Sequence, residues 1–450
     1  MGKEKGSYGL FTTVTMIIGI CIGSGIFFKS DNILVATGGS VLLGVVVFLL
    51  GATGIVFGGL CFSELAARTD KPGGVIAYMD EFASGKFACG MGWFQIFIYF
   101  PTITAVVSWV VGIYVCLLFG WQGTLERQML IGFAYLTFSF LLNWSSAKLG
   151  GWFQSFATVS KMIPLVLIAV CGLFFGNPAE GFRSIPAQTL GGTAWLAAVG
   201  PVAYSFDGWA VSTSIAPEIK DSKRTLPKAL IIAPIFVLLT YIAYFVGVTS
   251  FLGPQRVMEL QDAHVYVVAE KLLGGFGGRV LLIFVIIAVM GTVNGLVLGY
   301  IRMPHSMAVR GGMFPFADRL AGENQKAGVS LGSAAFCYLI TAVWLAVHYV
   351  TSKFNLLPNS DISEISIVMS YLFYIILYYQ VFSLYRKGKI HSAFRGVFVP
   401  VMATLGSVFI LSGGLQSRLF VFYAAFCLFV VALAFWYYSR HRSQAREIHE

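Results

Sequence analysis

Charge is what this sequence has least of. Asp, Glu, Lys and Arg make up 11% of its 450 residues, where a soluble domain of this size carries about 25%. With 57% hydrophobic residues and a mean hydropathy of +0.80, no water-soluble core could hide the apolar surface. Lipid is therefore the solvent for most of the chain. Cysteine spacing of any useful kind is also missing. The seven cysteines all fall in apolar stretches without metal-ligand or paired-loop spacing, so free buried thiols are expected. No nucleotide loop, metal cluster or nucleophile–base arrangement emerges, which argues against an enzyme and against a resident cofactor. Residues 1–9 are short, polar and basic with no cleavage-site pattern, and read as a cytoplasmic tail. No low-complexity segment or separate soluble domain stands out.

What is present is a succession of apolar runs. A helical span needs about 20 such residues, and runs of that kind lie near 10–37, 41–66, 87–119, 128–146, 153–176 and 193–215, then near 229–252, 280–307, 329–350, 362–384, 398–415 and 418–439. The fold class is all-α integral membrane, with twelve transmembrane helices. The net charge of +10 could signal nucleic acid, but in so apolar a chain it reports loop topology, and no nucleic-acid partner is expected. Alternate loops hold 21 Lys and Arg on one side against 8 on the other, which makes both termini cytoplasmic. The tail 440–450 belongs to the basic side. The stretch Pro72–Phe87 reads equally as a plain loop or an interfacial element, and Asp262–Leu273 as an amphipathic helix on the outer face.

Two spans carry breaks. The first contains Ile20-Cys21-Ile22-Gly23-Ser24-Gly25 near mid-bilayer, where each unpaired N–H or C=O costs several kcal/mol. Small residues there suit either close helix packing or an unwound turn facing a cavity. The sixth contains Tyr204-Ser205-Phe206-Asp207-Gly208, an acidic residue and a glycine inside a span. Intramembrane carboxylates are costly and usually functional; the plainer alternative is that Asp207 caps the half-helix after it. Five spans separate the two breaks, so the repeats 10–176 and 193–384 run in opposite orientations, with 398–439 as two added helices. Interrupted segments at matching places in inverted halves point to a transporter's substrate site. The half-helix after Ser24 offers N–H groups suited to a carboxylate. Carbonyls freed around Ile20, Cys21 and Tyr204 suit an ammonium. Together they fit the zwitterionic end of an α-amino acid.

Lys161 lies about 12 Å into the fifth span at 1.5 Å per residue. It reads as a fixed cation bonded to carbonyls at the first break, in the place where a related carrier would bind sodium. A proton-driven carrier could use the same lysine.

The motifs Ile22-Gly23-Ser24-Gly25-Ile26-Phe27, Glu64-Leu65 to Pro72-Gly73-Gly74, Ser160-Lys161-Met162-Ile163-Pro164 and Phe206-Asp207-Gly208-Trp209 occur in this order. They continue through Pro217-Glu218-Ile219-Lys220, Leu226-Pro227-Lys228-Ala229, Val293-Asn294-Gly295 and Ser363-Glu364-Ile365-Ser366-Ile367. In these the chain resembles the amino acid–polyamine–organocation superfamily, above all the L-type amino acid transporter branch and its bacterial serine/threonine and alanine–serine–cysteine exchangers. The resemblance implies a five-plus-five inverted repeat with two further helices, and sodium-independent exchange of neutral L-amino acids. It also implies residue roles. Ser24 and Gly25 bind the carboxylate through backbone N–H groups, carbonyls at Cys21, Tyr204 and Asp207 bind the amino group, and Ile20, Gly23 and Ser205 complete the expected substrate-binding set. Tyr204 closes over the substrate as a gate, Asn294 lines the side-chain end, and Lys161 with Tyr244 couples helix one to helix eight. The gate is often Phe in this family, so Tyr204 brings an extra hydroxyl. The loop 120–128 lacks the cysteine through which animal members join a glycoprotein, so no ancillary subunit is expected. A proton-coupled symporter or uniporter, a membrane sensor or channel, and a polyamine carrier are the alternatives.

Overall fold

The computed structural model describes residues 8–23, 25–69, 71, 73–145, 147–183, 192–211, 213, 219–315, 319–320 and 330–447. Among these the chain is helical throughout, relieved only by one isolated bridge between Tyr8 and Ile219. In chain order the main helices are α1 (Leu10–Cys21), α2 (Gly25–Ala36), α3 (Val41–Ala66), α4 (Gly85–Phe119) and α5 (Leu125–Ser145). They continue with α6 (Ala147–Phe175), α7 (Val199–Ser205), α8 (Ser222–Leu252) and α9 (His264–Tyr300). The last four are α10 (Leu331–Lys353), α11 (Ile362–Arg386), α12 (Phe394–Gly414) and α13 (Phe420–Glu447). Nine described helices are long and apolar enough to cross a bilayer, and α1 and α2, bent by 48°, together make a tenth. The chain is a multi-pass membrane protein. Of the twelve expected spans, the other two fall on α5 and on the short apolar stretch Ala194–Ser205.

The spans form an inner and an outer set. Within the most apolar window of α4, 72% of residues are buried by protein, against 22% in α13, so α4 is central and α13 peripheral. Peripheral faces carry large exposed apolar side chains such as Phe174, Phe276 and Phe422, as a lipid solvent requires. The centre is built by α6 packing on both α8 and α9, while α1 packs on α8 and α2 packs on α7. Both short halves of the broken spans therefore sit inside a ring of long helices.

The segment after Gly73 is helical over Gly74–Ala83, and Val75 to Met79 are buried in protein, because Gly73 and Gly74 adopt positive φ and turn the chain inward. The stretch 262–273 is helical from His264, with His264, Val265, Val268 and Ala269 buried, and Gly274 (φ 72°, ψ 174°) breaks it from the long apolar helix that follows.

Candidate functional site

The site follows from two helices that stop. In α1 the ladder ends with the Ile22 N–H on the Ile18 carbonyl, and Ile22 itself is extended (φ −74°, ψ 98°). The chain restarts at Gly25. Ser24, assigned to the carboxylate pole, lies outside the described residues. In the partner span α7 ends at Ser205, and Gly208 takes a φ of +98°, a conformation that side-chain-bearing residues seldom adopt.

The breaks touch. A Cβ at Gly25 would lie 2.6 Å from the Ser205 Cα, and one at Gly208 would lie 2.9 Å from Ile20 Cγ2 and 3.1 Å from the Ile20 carbonyl oxygen. Glycine is required at both points because backbone of one break abuts the other.

The loosened backbone is held by two long side chains. The Lys161 ammonium, fully buried, donates to the carbonyl oxygens of Gly19 and of Ile22, the latter at 2.7 Å. Tyr241 was not foreseen. Its hydroxyl lies 2.7 Å from the Ser205 carbonyl and 3.0 Å from the Cys21 carbonyl, sharing one proton between the two breaks. Asp207 is held in turn by Tyr99, whose hydroxyl lies 2.8 and 2.7 Å from its two carboxylate oxygens. No sequence signal singled out Tyr241 or Tyr99 among 20 tyrosines, since each acts through a helix position that reads as ordinary core.

Between the breaks lies a cavity of about 50 Å³. Ile20, Cys21, Gly23, Gly25, Tyr204 and Asp207 line it, so six of the expected residues come together there. Ser205 stands behind the wall, bonded to Pro201 and Tyr241. Asn294 is also set back. Its amide donates to the Gly150 carbonyl at 2.9 Å and its oxygen accepts from Asn143 at 2.8 Å. The polar groups at that end of the cavity are Gln154 and Thr292 instead. Tyr244 packs edge-on against Phe27 with ring centres 5.4 Å apart, and its hydroxyl makes no hydrogen bond. The cavity has Gly25, the first residue of α2, on its wall together with Ile20 and Cys21 at the end of α1 and with Asp207 at the second break. Its chemistry is that of a dipolar ligand. A larger cavity of about 630 Å³, lined by Trp93, Phe97, Trp344 and Phe426, is almost wholly apolar and offers nothing to bind such a ligand.

Above the cavity, Tyr204 is 5% exposed and Lys29 1% exposed. Lys29 is one of the eight Lys and Arg that the loop count places on the less basic side, yet its ammonium is buried against Asp361 Oδ2 (2.6 Å) and Glu364 Oε1 (2.5 Å). The signal that could have found it was its position inside the first apolar run. On this side the route to the cavity is closed.

A family model described as amino acid permease matches residues 8–446. The serine/threonine exchanger SteT of Bacillus subtilis (strain 168) is 28% identical over 419 residues, covering 91% of this chain and 91% of the relative. The Asc-type amino acid transporter 1 of Homo sapiens is 29% identical over 324 residues, covering 68% of this chain and 60% of its own. The large neutral amino acids transporter small subunit 2 of Homo sapiens is 27% identical over 304 residues, covering 65% and 56%.

Proposed function

Because the chain belongs to the amino acid permease family and is an amino acid transporter, we propose that it exchanges small neutral L-amino acids across the cell membrane without sodium. The observation that carries this reading is the cavity between the two breaks, bounded by α2 N–H groups at one pole and by loosened carbonyls and Asp207 at the other. At about 10–15 Å³ of such volume per water, its 50 Å³ suits a ligand of a few heavy atoms, so a small side chain is favoured. The relative SteT, a serine/threonine exchanger, points the same way.

In this reading Gly23, Ser24 and Gly25 hold the carboxylate through backbone N–H groups. The amino group lies among the Ile20, Cys21 and Tyr204 carbonyls near Asp207, with Ser205 behind. Tyr204 shuts the site from outside, and Gln154 with Thr292 faces the substrate side chain, next to Asn294. Lys161 puts its amine on the Gly19 and Ile22 carbonyls beside the first break, and this occupation of the break supports independence from sodium. The fold is read as twelve spans in a five-plus-five inverted repeat, with both termini cytoplasmic by the positive-inside rule. The face carrying Lys29 and Asp361 is then extracellular. The chain works without an ancillary subunit.

Exchange requires that the loaded carrier reorient faster than the empty one, so contacts made during closure matter more than resting affinity. Counterflow in proteoliposomes, with internal and external amino acids varied and sodium and pH set independently, tests the proposal. Uptake should depend on internal small neutral amino acid and ignore sodium. Accumulation driven by a pH gradient into vesicles lacking internal substrate would establish the proton-coupled alternative.

A further inference from the structure

One buried cluster has no part in substrate binding as just described. Outside Tyr204, the Lys29 ammonium meets two carboxylates at once, Asp361 Oδ2 at 2.6 Å and Glu364 Oε1 at 2.5 Å. Asp361 is 3% and Glu364 5% exposed. Lys29 belongs to α2, the half-helix that begins at Gly25, while both acids open α11. The same ammonium lies 5.0 Å from the Tyr204 ring centre and 4.8 Å from that of Phe28. The triad therefore bolts the substrate half-helix to α11 directly over the gate.

One cation against two carboxylates leaves a negative charge uncompensated. The surroundings do not cancel it. Asp31 on α2 and Asp262 from the outer loop, the other charged groups that feel Lys29, are themselves acids and add no positive charge. His264 faces Asp31, and His348 on α10 faces Asp361. Tyr204 on α7 and Tyr423 on α13 contribute neutral phenols. Arg418, which lines a cavity with Glu364, is exposed to solvent. A buried charge without a partner is normally neutralised.

Hydrogen bonding decides where. Asp361 Oδ1 accepts from the Ser363 N–H (2.8 Å) and Ser363 hydroxyl (2.5 Å), and Oδ2 accepts from Lys29. Each of its oxygens thus faces a donor that cannot accept, the Ser363 N–H on Oδ1 and the Lys29 ammonium on Oδ2, and a carboxyl proton on either would crowd that donor. Glu364 Oε1 faces Lys29, but Oε2 lies 2.7 Å from Ser360 Oγ, a hydroxyl that accepts as readily as it donates. Glu364 also lines a cavity of about 260 Å³ together with exposed Asn359 and Arg418, which gives it a way to the outer water.

We propose that Glu364 is a proton-binding site: it takes one proton from the outer solution as the gate closes and returns it when the gate opens. The carboxylate becomes a carboxyl whose O–H donates to Ser360 Oγ, and the closed triad is electroneutral. The proton is a ligand of the closed state and is not carried across. Closed protein then binds one proton more than open protein, so raising external pH loosens the gate, by up to about tenfold per unit for a single proton.

The assignment of this face as extracellular comes from the proposed function, so the test must not depend on transport. Cys21 lines the substrate cavity and can be kept as the only cysteine. Its modification by a membrane-impermeant thiol reagent from outside reads gate opening. Labelling of the otherwise unaltered chain should accelerate with external pH more steeply than in Glu364→Gln, the excess over the variant approaching tenfold per unit and the variant's residual slope being the thiol's own. Asp361→Asn, which also leaves one cation against one acid, should lose the excess slope as well, and serves if Glu364→Gln fails to fold. Asp31→Asn should keep it. An excess slope that survives in Glu364→Gln or Asp361→Asn, or that vanishes only in Asp31→Asn, overturns the proposal. Labelling with no amino acid exchange would leave this site standing and sink the exchanger reading instead.

Discussion

The Tyr241 hydroxyl stands 2.7 Å from the Ser205 carbonyl while remaining 3.0 Å from the Cys21 carbonyl, so one phenol spans the ends of both broken helices. Those helices come from opposite halves of the chain and meet backbone to backbone at Gly25 and Gly208. Removing the hydroxyl leaves two buried carbonyls short of a donor, at a cost of about 1–3 kcal/mol. Tyr241→Phe should therefore lower the melting temperature modestly and slow exchange more than it weakens substrate binding. Thermal unfolding and counterflow on the same preparation compare the two effects.

Lys161 is the second tie, and its contacts to Gly19 and Ile22 lie wholly within the first span's break. Breaking a buried cation's arrangement is expensive, on the order of 3–5 kcal/mol where one partner is lost. Lys161→Gln should reduce exchange by at least a hundredfold, and sodium should not restore it. Arginine is no substitute, since its wide planar fork needs more room than an ammonium between two carbonyls of one turn. Recovery of activity in Lys161→Arg would show that charge alone matters at this position.

Tyr99 grips both oxygens of Asp207, and the pair should behave as one unit. Tyr99→Phe and Asp207→Asn, made singly and together, should show a coupling of roughly 0.5–3 kcal/mol in substrate affinity. Additive effects would mean that Asp207 meets the ligand without help from Tyr99.

Gln154 and Thr292 are the polar groups at the far end of the cavity. A net hydrogen bond is worth about 0.5–1.5 kcal/mol. Gln154→Leu should accordingly shift preference from serine toward alanine by roughly three- to tenfold in competition counterflow, with total exchange retained. An unchanged ratio would remove Gln154 from the account of specificity.

Gly25 allows the closest approach between the two halves, since an added Cβ would meet the Ser205 Cα at 2.6 Å. Backbone on both sides must shift to admit it. Gly25→Ala should abolish binding at the same expression level, whereas Gly19→Ala, which meets only the Thr158 side chain, should be milder. Equilibrium binding of labelled L-serine separates the two variants.

Much of this was legible because lipid is a severe solvent. Two glycines around Ser24, and Asp207 beside Gly208, cannot sit in a span without consequence, and their places on opposing breaks could be read from order and spacing alone. Lys161 announced itself for the same reason. Tyr241 and Tyr99 did not, because a tyrosine inside a span is commonplace and only its register against a carbonyl or carboxylate gives it a role. Asn294 illustrates the reverse: as a polar residue in a span it drew attention, yet its amide is bonded to Gly150 and Asn143, and the neighbouring Gln154 reaches the cavity. Lys29 was misplaced to a loop because charge near a span's end reads as topology, and the two acids that bury it come more than 300 residues later in the chain.

The central claim is that the paired breaks recognise both poles of an amino acid. Competition against bound labelled L-serine in detergent, using L-serine, ethanolamine and lactate, measures this directly. Ethanolamine keeps the ammonium and hydroxyl but lacks the carboxylate; lactate keeps the carboxylate but lacks the ammonium. The account predicts that L-serine displaces the label and that neither single-pole compound does so at a hundredfold higher concentration. Displacement by ethanolamine or a polyamine as effective as that by L-serine would contradict it.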